Sequence, residues 1–422
     1  MSILSRSWSR PAEHRVVALT ALALAIFGGS WIALHLGWFG RGQIVDTPVY
    51  QNYGDAMLRG EVPYRDFDVE YPPGALLVFI QPARGNEGDA DAYKHAFEVL
   101  MVVCGALLVI ALAFALAALD TPPARMFGAL ALAALAPLLL GSVVLTRFDL
   151  WPAALTAAAL AALVSGRVRL GHGLLGAGFV TKIWPAVIVP LAVAYVWRTR
   201  GRREALVCLG IAAAVVAVVL LPFVVVAPHG VWTSFERQLS RPLQIESLGA
   251  ALLIVSHHVF GTGVTMVSSR GSQNISGTAA QVVGWFQTAL QAAVLIGLWI
   301  TFARRDRTRE ELLRYSAAAV VAFIALGKVL SPQFLIWLIP LIPLVRRWTV
   351  ALLFAAVLML TQAWFPQHYW KYALQFDTAV SWVVLARDVL LLALLVAVVR
   401  PPRSAREEAV ARARPRVSSS PG

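Results

Sequence analysis

Carboxylates and aromatic side chains are mixed in one polar stretch near the start of the chain. The acidic members are Asp46, Asp55, Glu61, Asp66, Asp68 and Glu70, and the aromatic members are Tyr50, Tyr53, Tyr64, Phe67 and Tyr71. A solvated acidic loop is the simplest interpretation, but such a loop does not need aromatic rings. An aromatic face can stack on a sugar ring, while a carboxylate accepts hydrogen bonds from sugar hydroxyls or acts as a general base. The composition therefore favours a carbohydrate site.

Two lysines interrupt apolar segments that also contain a proline. Lys182 lies in GFVTKIWPAVIVP and Lys328 lies in ALGKVLSPQFLIWLIP. A charge within a membrane segment is a functional candidate, although a lysine near a helix end can also extend to the membrane surface. With Arg147 of LTRFDLWP, the lysines could form a cationic cluster that binds phosphate by charge-assisted hydrogen bonds. A simple ion pair between Arg147 and Asp149 is the alternative.

The segments that carry these residues are typical of a membrane protein. The chain has 422 residues, of which 59% are hydrophobic and 14% are charged, whereas soluble domains carry about 25% charge. Short or broken helices, as expected around Lys182, are tolerated where they line a cavity instead of facing lipid. Hydropathy predicts twelve helices, at residues 16–37, 92–118, 126–145, 149–164, 173–182, 185–197, 205–227, 281–303, 314–328, 333–345, 348–364 and 378–399.

Basic residues are concentrated on one side of this predicted bundle. With a cytoplasmic N-terminus, about two thirds of the 36 Lys and Arg residues fall in cytoplasmic segments, as the positive-inside rule requires. The rule accounts for the net charge of +13 without a nucleic-acid surface. We expect a multi-pass plasma-membrane protein that has both termini in the cytoplasm and does not bind nucleic acid.

Two long loops, at residues 38–91 and 228–280, would lie outside the cytoplasm. Their aromatic and apolar content predicts short surface helices, for example at 75–80 and 248–259, and long loops in compact chains are usually functional. We therefore predict one integral membrane domain over residues 1–399. Residues 400–422, which are rich in Arg, Pro, Ser and Ala, are predicted to form a disordered cytoplasmic tail.

No metal site or cofactor motif is predicted. Cys104 and Cys208 lie in separate apolar segments and do not form a metal-type spacing. His257 and His258 are adjacent, so they point apart on a helix, and no third ligand occurs at a useful spacing. The three letters of the DxD pattern at Asp66 and Asp68 are too short a match to indicate a metal site.

Six segments, in this order along the chain, resemble glycosyltransferase family 87, the polyprenol-phosphate-mannose-dependent mannosyltransferases and their relatives in the GT-C superfamily. The resemblance implies an all-α polytopic membrane protein, a GT-C-like bundle of about twelve transmembrane helices. It also implies inverting transfer of a sugar, foremost mannose, from a polyprenyl-phosphate donor to an envelope lipid or glycan on the outer face of the membrane. The matching segments are Asp46 with Tyr50, GEVPYRDF (60–67), EYPPG (70–74), TKIWP (181–185), RPLQIESL (241–248) and KVLSPQFLIWLIPL (328–341).

The resemblance also suggests a role for each candidate residue. Asp46 corresponds to the family's first-loop aspartate and would be the general base for the acceptor hydroxyl. Polyprenyl phosphate is a stable anionic leaving group, so no protein acid or cofactor is required, and Lys182, Lys328 and Arg147 would stabilise the departing phosphate. Further candidates for contacts to the sugar or the acceptor are Tyr50, Tyr64, Asp66, Glu70, Tyr71, Arg241, Gln244, Glu246 and Gln333.

Three alternatives remain open at this point. Arabinofuranosyl transfer from the same kind of lipid donor is a close variant, because pocket shape decides between sugars. A non-catalytic transporter or flippase of lipid-linked sugars is favoured by long loops after the first and seventh helices, but it predicts opposed charges near the bilayer midplane. A non-enzymatic envelope scaffold leaves Lys182 and Lys328 unexplained.

Overall fold

The computed structural model describes residues 10–37, 44–305 and 308–400. The predicted tail beyond Arg400 and residues 38–43 of the first long loop lie outside this part of the chain. The α-helices are α1 (Arg10–His35), α2 (Thr47–Leu58), α3 (Leu76–Ala83), α4 (Ala90–Ala118), α5 (Pro123–Leu140), α6 (Val143–Thr146), α7 (Leu150–Val164), α8 (Val168–Thr181), α9 (Val189–Arg200), α10 (Arg202–Val226), α11 (Pro228–Leu239), α12 (Leu248–Phe260), α13 (Thr278–Arg304), α14 (Arg309–Ala325), α15 (Ile342–Val345), α16 (Trp348–Trp364), α17 (Tyr369–Gln375) and α18 (Thr378–Val399).

Shorter elements complete the described fold. The 3₁₀ helices are Pro73–Ala75, Trp184–Ile188 and Pro332–Leu338, and the strands β1 (Thr265–Ser269) and β2 (Ser272–Ser276) form an antiparallel hairpin. Arg270 and Gly271 connect the strands with φ angles of 51° and 69°. Two consecutive positive φ angles are typical of the tight turns that match the twist of a hairpin.

Each of the twelve predicted segments contains helix, which confirms a multi-pass, all-α membrane protein. Within the described residues, six helices are long and apolar enough to cross a membrane, namely α1, α4, α5, α10, α13 and α18. A seventh span results if α16 and α17, which are bent by 73°, are counted as one broken helix. The predicted number of twelve spans is not confirmed, because several helices are shorter than a bilayer requires.

The short helices lie inside the bundle. In the 15-residue α7, only a few side chains reach the surface, and its alanines are buried against α4 and α8. Small side chains let neighbouring backbones approach closely. At Gly176 of α8, a Cβ atom would lie 2.7 Å from the carbonyl oxygen of Ala212 in α10. Protein neighbours therefore surround these segments where lipid would otherwise require a full-length helix.

Two proline-containing breaks face each other in the interior. Helix α8 ends at Thr181, and Lys182 has an extended backbone before the 3₁₀ helix that contains Pro185. Pro185 has no N–H to donate to the Thr181 carbonyl and its ring would clash with that carbonyl in a continuous helix, which explains the break after Thr181. The rings of Trp184 and Trp337, one from each broken segment, stack at 5.4 Å and 10°. The packing of these two rings places Lys182 at a fixed position beside the loop after α6.

The first long loop folds against the bundle. Helix α2 packs on α3 and α4, and the fully buried ring of Tyr50 stacks on Phe79 with centroids 4.6 Å apart. Helices were predicted at 75–80 and 248–259, where α3 and α12 lie. The hairpin was not predicted, and it binds the segment 241–247 through the hydrogen bond from Ile275 N to Leu243 O (2.9 Å).

Basic turns meet at the other end of the bundle. Arg309 donates to Ala118 O at the end of α4 (3.2 Å), and Arg347 donates to Arg400 O (2.7 Å). At its other end α4 follows Gly88, whose N–H donates to Asp55 in α2 (3.2 Å). A helix of this length extends about 40 Å, so α4 separates the basic turns from the first loop.

Candidate active site

Asp46 and Arg147 form an ion pair between the start of α2 and the turn after α6. Asp46 Oδ1 lies 2.6 Å from Arg147 Nη1, and Asp46 Oδ2 accepts a hydrogen bond from the Tyr50 hydroxyl (3.3 Å). Tyr50 follows Asp46 by four residues, which places both on one face of α2. The Asp46 side chain is 29% exposed, whereas that of Arg147 is 6% exposed. A carboxylate is therefore held in place beside a buried cation and remains accessible.

Arg147 and Asp149 take different partners, so the simple pairing considered from the sequence does not form. Lys182 Nζ lies 2.6 Å from Asp149 Oδ1, and Trp337 Nε1 donates to the same oxygen at 2.5 Å. Asp149 is fully buried. The ammonium of Lys182 also lies 4.5 Å from the ring centroid of Phe148, which is a cation–π distance. Lys182 is thus fixed by a charge, a ring and the helix break.

Each of the two cations faces a carboxylate, so this part of the site has no excess positive charge. The pairs are Arg147 with Asp46 and Lys182 with Asp149. Arg147 Nε is nevertheless buried without a hydrogen-bond partner among the described residues. A buried donor without a partner is costly, and it could donate to a bound anionic group. Arg147 is therefore the residue best placed to contact both Asp46 and a bound anionic ligand.

The second long loop brings a buried carboxyl close to Arg147. Glu246 accepts a hydrogen bond from the Gln244 amide, and the Glu246 carbonyl accepts one from Arg387 Nη2 (2.8 Å). Desolvation raises the pKa of Glu246 to about 8, against the opposing charges of Arg387, Arg241 and Arg147. The charge of Arg147 therefore acts on Glu246 of the second loop as well as on Asp46 of the first loop.

Glu70 and Arg241 form a second connection between the loops. Glu70 is exposed, yet the surrounding protein raises the pKa of its carboxyl by desolvation, while Arg241 lowers it and Asp46 raises it. A group that is accessible but surrounded by protein is expected in a cleft. A Cβ atom on Gly271 of the hairpin would lie 3.1 Å from Glu70 Oε1, so the turn of the hairpin approaches this carboxylate closely.

Tyr50, Tyr64 and Asp66, which were predicted to contact the sugar or the acceptor, make contacts within the first loop. Tyr50 is buried under Asp46, and the Tyr64 hydroxyl donates to Tyr71 O (2.6 Å) from a backbone with φ of 67°. Asp66 is exposed and pairs with Arg65, and with the Val62 N–H these bonds lower the pKa of its carboxyl to about 2. Direct sugar contacts by these residues stay predictions. Tyr71, whose ring centroid lies 5.6 Å from Lys182 Nζ, faces the site.

Lys328 lies beside different elements from Lys182. Its Nζ donates to Leu239 O at the end of α11 (3.3 Å), and its carbonyl accepts from Gln244 N (2.9 Å). Desolvation and the nearby Arg270 lower the pKa of its ammonium. Among the described residues, no contact joins Lys328 to Asp46, Arg147 or Lys182, so its predicted role at the phosphate stays a prediction. Gln333 is the second residue of the 3₁₀ helix that follows the second helix break. Its buried side-chain oxygen has no partner among the described residues.

Sequence reasoning missed the charged pair at the centre of α18. Arg387 Nε lies 2.7 Å from Asp388 Oδ1, and both side chains are almost completely buried. Arg387 also binds the second loop through the carbonyl of Glu246. The rule that indicated Lys182, a charge within an apolar helix, applies equally to these two residues and would have found them. In the described part of the chain, no group of three His, Cys, Asp or Glu residues could hold a metal ion.

Comparisons with known proteins identify a family for this chain. The sequence profile of glycosyltransferase family 87 matches residues 70–332, which include every candidate from Glu70 to Lys328. Among solved structures, the chain is similar to ArnT from Cupriavidus metallidurans bound to undecaprenyl phosphate, with 14% identity and a TM-score of 0.48. That similarity covers 91% of this chain and 76% of the other. No curated protein sequence matches the chain significantly.

Proposed function

Because this chain belongs to glycosyltransferase family 87, we propose that it transfers a sugar, foremost mannose, from a polyprenyl-phosphate donor to an envelope lipid or glycan, with inversion. Its family and its apolar helices make it a membrane glycosyltransferase. The ion pair between Asp46 and Arg147 carries the finer proposal, because it puts an accessible carboxylate against a buried guanidinium whose Nε has no partner among the described residues.

Asp46 is the general base in this proposal. Its carboxylate takes the proton from the acceptor hydroxyl while the hydroxyl oxygen forms a bond to the anomeric carbon of the donor. The bond from that carbon to the phosphate oxygen breaks on the opposite face, and the electron pair leaves with polyprenyl phosphate. One displacement inverts the anomeric carbon, and the protonated Asp46 then returns its proton to solvent.

Arg147 and Lys182 stabilise the departing phosphate in this proposal. Arg147 Nε is a buried donor without a described partner, and guanidinium groups bind phosphate strongly. Lys182 is held in place by Asp149, which itself accepts a hydrogen bond from Trp337. Fixed charges of this kind need little reorganisation when negative charge develops on the leaving group. Glu70, Tyr71, Arg241, Gln244, Glu246 and Gln333 are the proposed contacts to the sugar or the acceptor.

The distribution of charge supports an active site on the outer face. Arginines that follow α13 and α15 contact the ends of α4 and α18 and the turn after α4 at one end of the bundle, as in the bonds from Arg309 to Ala118 O (3.2 Å) and from Arg346 to Thr121 (3.4 Å). The positive-inside rule assigns this end to the cytoplasm. Asp46, at the opposite end of α4, is then extracytoplasmic, and both chain termini are cytoplasmic.

The direct test uses the purified protein in nanodiscs with polyprenyl-phosphate mannose, labelled in the sugar, and a membrane lipid extract as acceptor. We expect polyprenyl phosphate to be released in equal amount to a labelled glycolipid. A parallel reaction with the arabinofuranose donor assigns the sugar. Absence of product with both donors, together with donor-dependent movement of lipid-linked sugar across liposomes, would contradict the proposal and indicate a transporter.

A further inference from the structure

A recess opens on the basic face of the molecule, at the end of α7 and α8 that is remote from Asp149 and Lys182. Its cavity volume is about 580 Å³. It lies between the turn that joins α7 to α8 and the turn that joins α9 to α10. The residues that line it are Gly166, Arg167, Val168, Arg169, Leu170, Arg200 and Glu204. The recess is therefore separate from the candidate active site, which uses the other ends of the same helices.

The lining combines three arginines with one carboxylate. Arg169 is occupied by a two-bond pair with Glu204 (both 2.8 Å), and Arg200 Nη2 donates to Gly166 O (2.6 Å). The Arg167 side chain is exposed. Because the pair of Arg169 with Glu204 is neutral, the remaining positive charge of the recess belongs to Arg167 and Arg200.

The backbone of the recess adds donors for an anion. Helix α8 begins at Val168, and no side chain caps its first turn. The first N–H groups of a helix have no partner within the helix, and the aligned peptide dipoles place partial positive charge there. Helix N-termini of this kind bind phosphate groups. The arginines and the start of α8 therefore both favour an anionic ligand in this recess.

Apolar side chains beside the recess point to a lipid as the source of that phosphate. Leu170, which lines the recess, is 50% exposed, and Leu206 in the following turns of α10 is 52% exposed. Trp197 is 45% exposed at the same level and stacks with Arg202. Helix α10 is a membrane span that is exposed along almost its whole length. A soluble anion would not pack against this apolar border, whereas the acyl chains of a lipid would.

We propose that this recess binds the phosphate of an anionic phospholipid headgroup, with the acyl chains lying along α10. Basic recesses between membrane helices on the cytoplasmic side are known sites for such headgroups. The proposal does not depend on the reaction at Asp46. It also makes a different prediction from the positive-inside rule, which depends on the number of arginines and not on their arrangement.

The test measures retention of phosphatidylglycerol against phosphatidylcholine by native mass spectrometry of the full chain in detergent. We expect Arg167→Gln combined with Arg200→Gln to weaken phosphatidylglycerol binding by about fivefold for each arginine removed. Arg198→Gln combined with Arg203→Gln is the matched control, because it removes the same charge from the same end of the bundle outside the lining, and it should bind nearly as wild type does. Arg167→Gln alone leaves the bond from Arg200 to Gly166 intact and guards against misfolding of the double variant.

Two results would overturn the assignment. Equal weakening in the pocket variant and the control variant would show that diffuse charge, and not this recess, attracts the lipid. Binding of inorganic phosphate that Arg167→Gln abolishes, without preference for phosphatidylglycerol, would show a site for a soluble anion. Sugar transfer is measured separately on the same preparations, so failure at this recess is distinguishable from failure of the proposed reaction.

Discussion

Lys182 Nζ lies 2.6 Å from Asp149 Oδ1 in an ion pair that is almost completely buried. The Asp149 side chain is 0% exposed and the Lys182 side chain is 12% exposed. Removing one partner of a buried pair leaves an uncompensated charge, which costs about 3–5 kcal/mol. The pair therefore has a structural consequence that can be measured independently of sugar transfer.

We expect Lys182→Met to lower the free energy of unfolding by about 3–5 kcal/mol, because Asp149 would remain buried without its partner. The double variant Lys182→Met with Asp149→Asn should lose less than the sum of the two single variants, since both charges are gone. Unfolding in detergent with increasing denaturant measures this coupling. Strictly additive losses would show that the two groups do not stabilise each other.

Tyr50→Phe tests whether the hydroxyl of Tyr50 positions the base. The substitution removes the hydrogen bond to Asp46 and keeps the ring that stacks on Phe79. Hydrogen bonds to charged groups are stronger than neutral ones, so we expect about a tenfold lower rate of transfer with nearly unchanged stability. Tyr93→Phe, which loses a buried hydrogen bond to Phe79 O, is the control and should retain the rate. Equal rates for all three proteins would assign Tyr50 to packing alone.

The stability of the protein should depend on pH through Glu246. Its pKa is raised to about 8 in the folded protein, against about 4.3 in an unfolded chain. Folding therefore favours the protonated form, so the contribution is complete below about pH 4 and is lost as the pH rises through 8. Within this interval the loss is about 1.4 kcal/mol for each pH unit.

Glu246→Gln should remove this dependence, because an amide does not ionise. Thermal unfolding at pH 5 and pH 8 compares the fall in the midpoint for wild type and variant. Glu61→Gln, which removes a surface ion pair with Arg59, is the control and should keep the slope of the wild type. The same slope in wild type and Glu246→Gln would mean that Glu246 remains ionised in the folded protein.

Hydropathy and prolines predicted the helices well, because burial in lipid or in the bundle and the missing N–H of proline act locally. The breaks at Lys182 and near Gln333 were predicted in this way. Arg147 and Lys182 were selected as charges within or beside apolar segments, and Asp46 was selected from the first loop by the resemblance to the family; the structure places the three close together. Their common location follows from where charge is tolerated in a membrane protein.

The partners of these charges could not be predicted from the sequence. Lys182 and Arg147 were predicted to form a cationic cluster, with a pair between Arg147 and Asp149 as the alternative. Arg147 instead faces Asp46 and Lys182 faces Asp149, because ion pairing depends on contacts between distant segments. Lys328 has a sequence context similar to that of Lys182, but its neighbours are set by α11 and the hairpin. The hairpin was missed because its polar strands carry little of the apolar alternation that predicts a strand.

The most direct measurement of the central claim is the rate of polyprenyl-phosphate release by Asp46→Asn. The amide keeps the size of the side chain but cannot accept the proton of the acceptor hydroxyl, so we expect at least about a hundredfold loss of rate. Asp68→Asn is the matched control in the same loop, because Asp68 is exposed and pairs with Arg237 outside the candidate site, and it should retain the rate of the wild type. Membrane insertion should be unchanged in both, whereas the unfolding midpoint of Asp46→Asn should fall, because the buried Arg147 loses its charged partner. Transfer at the full rate by a correctly folded Asp46→Asn would contradict the assignment of Asp46 as the base.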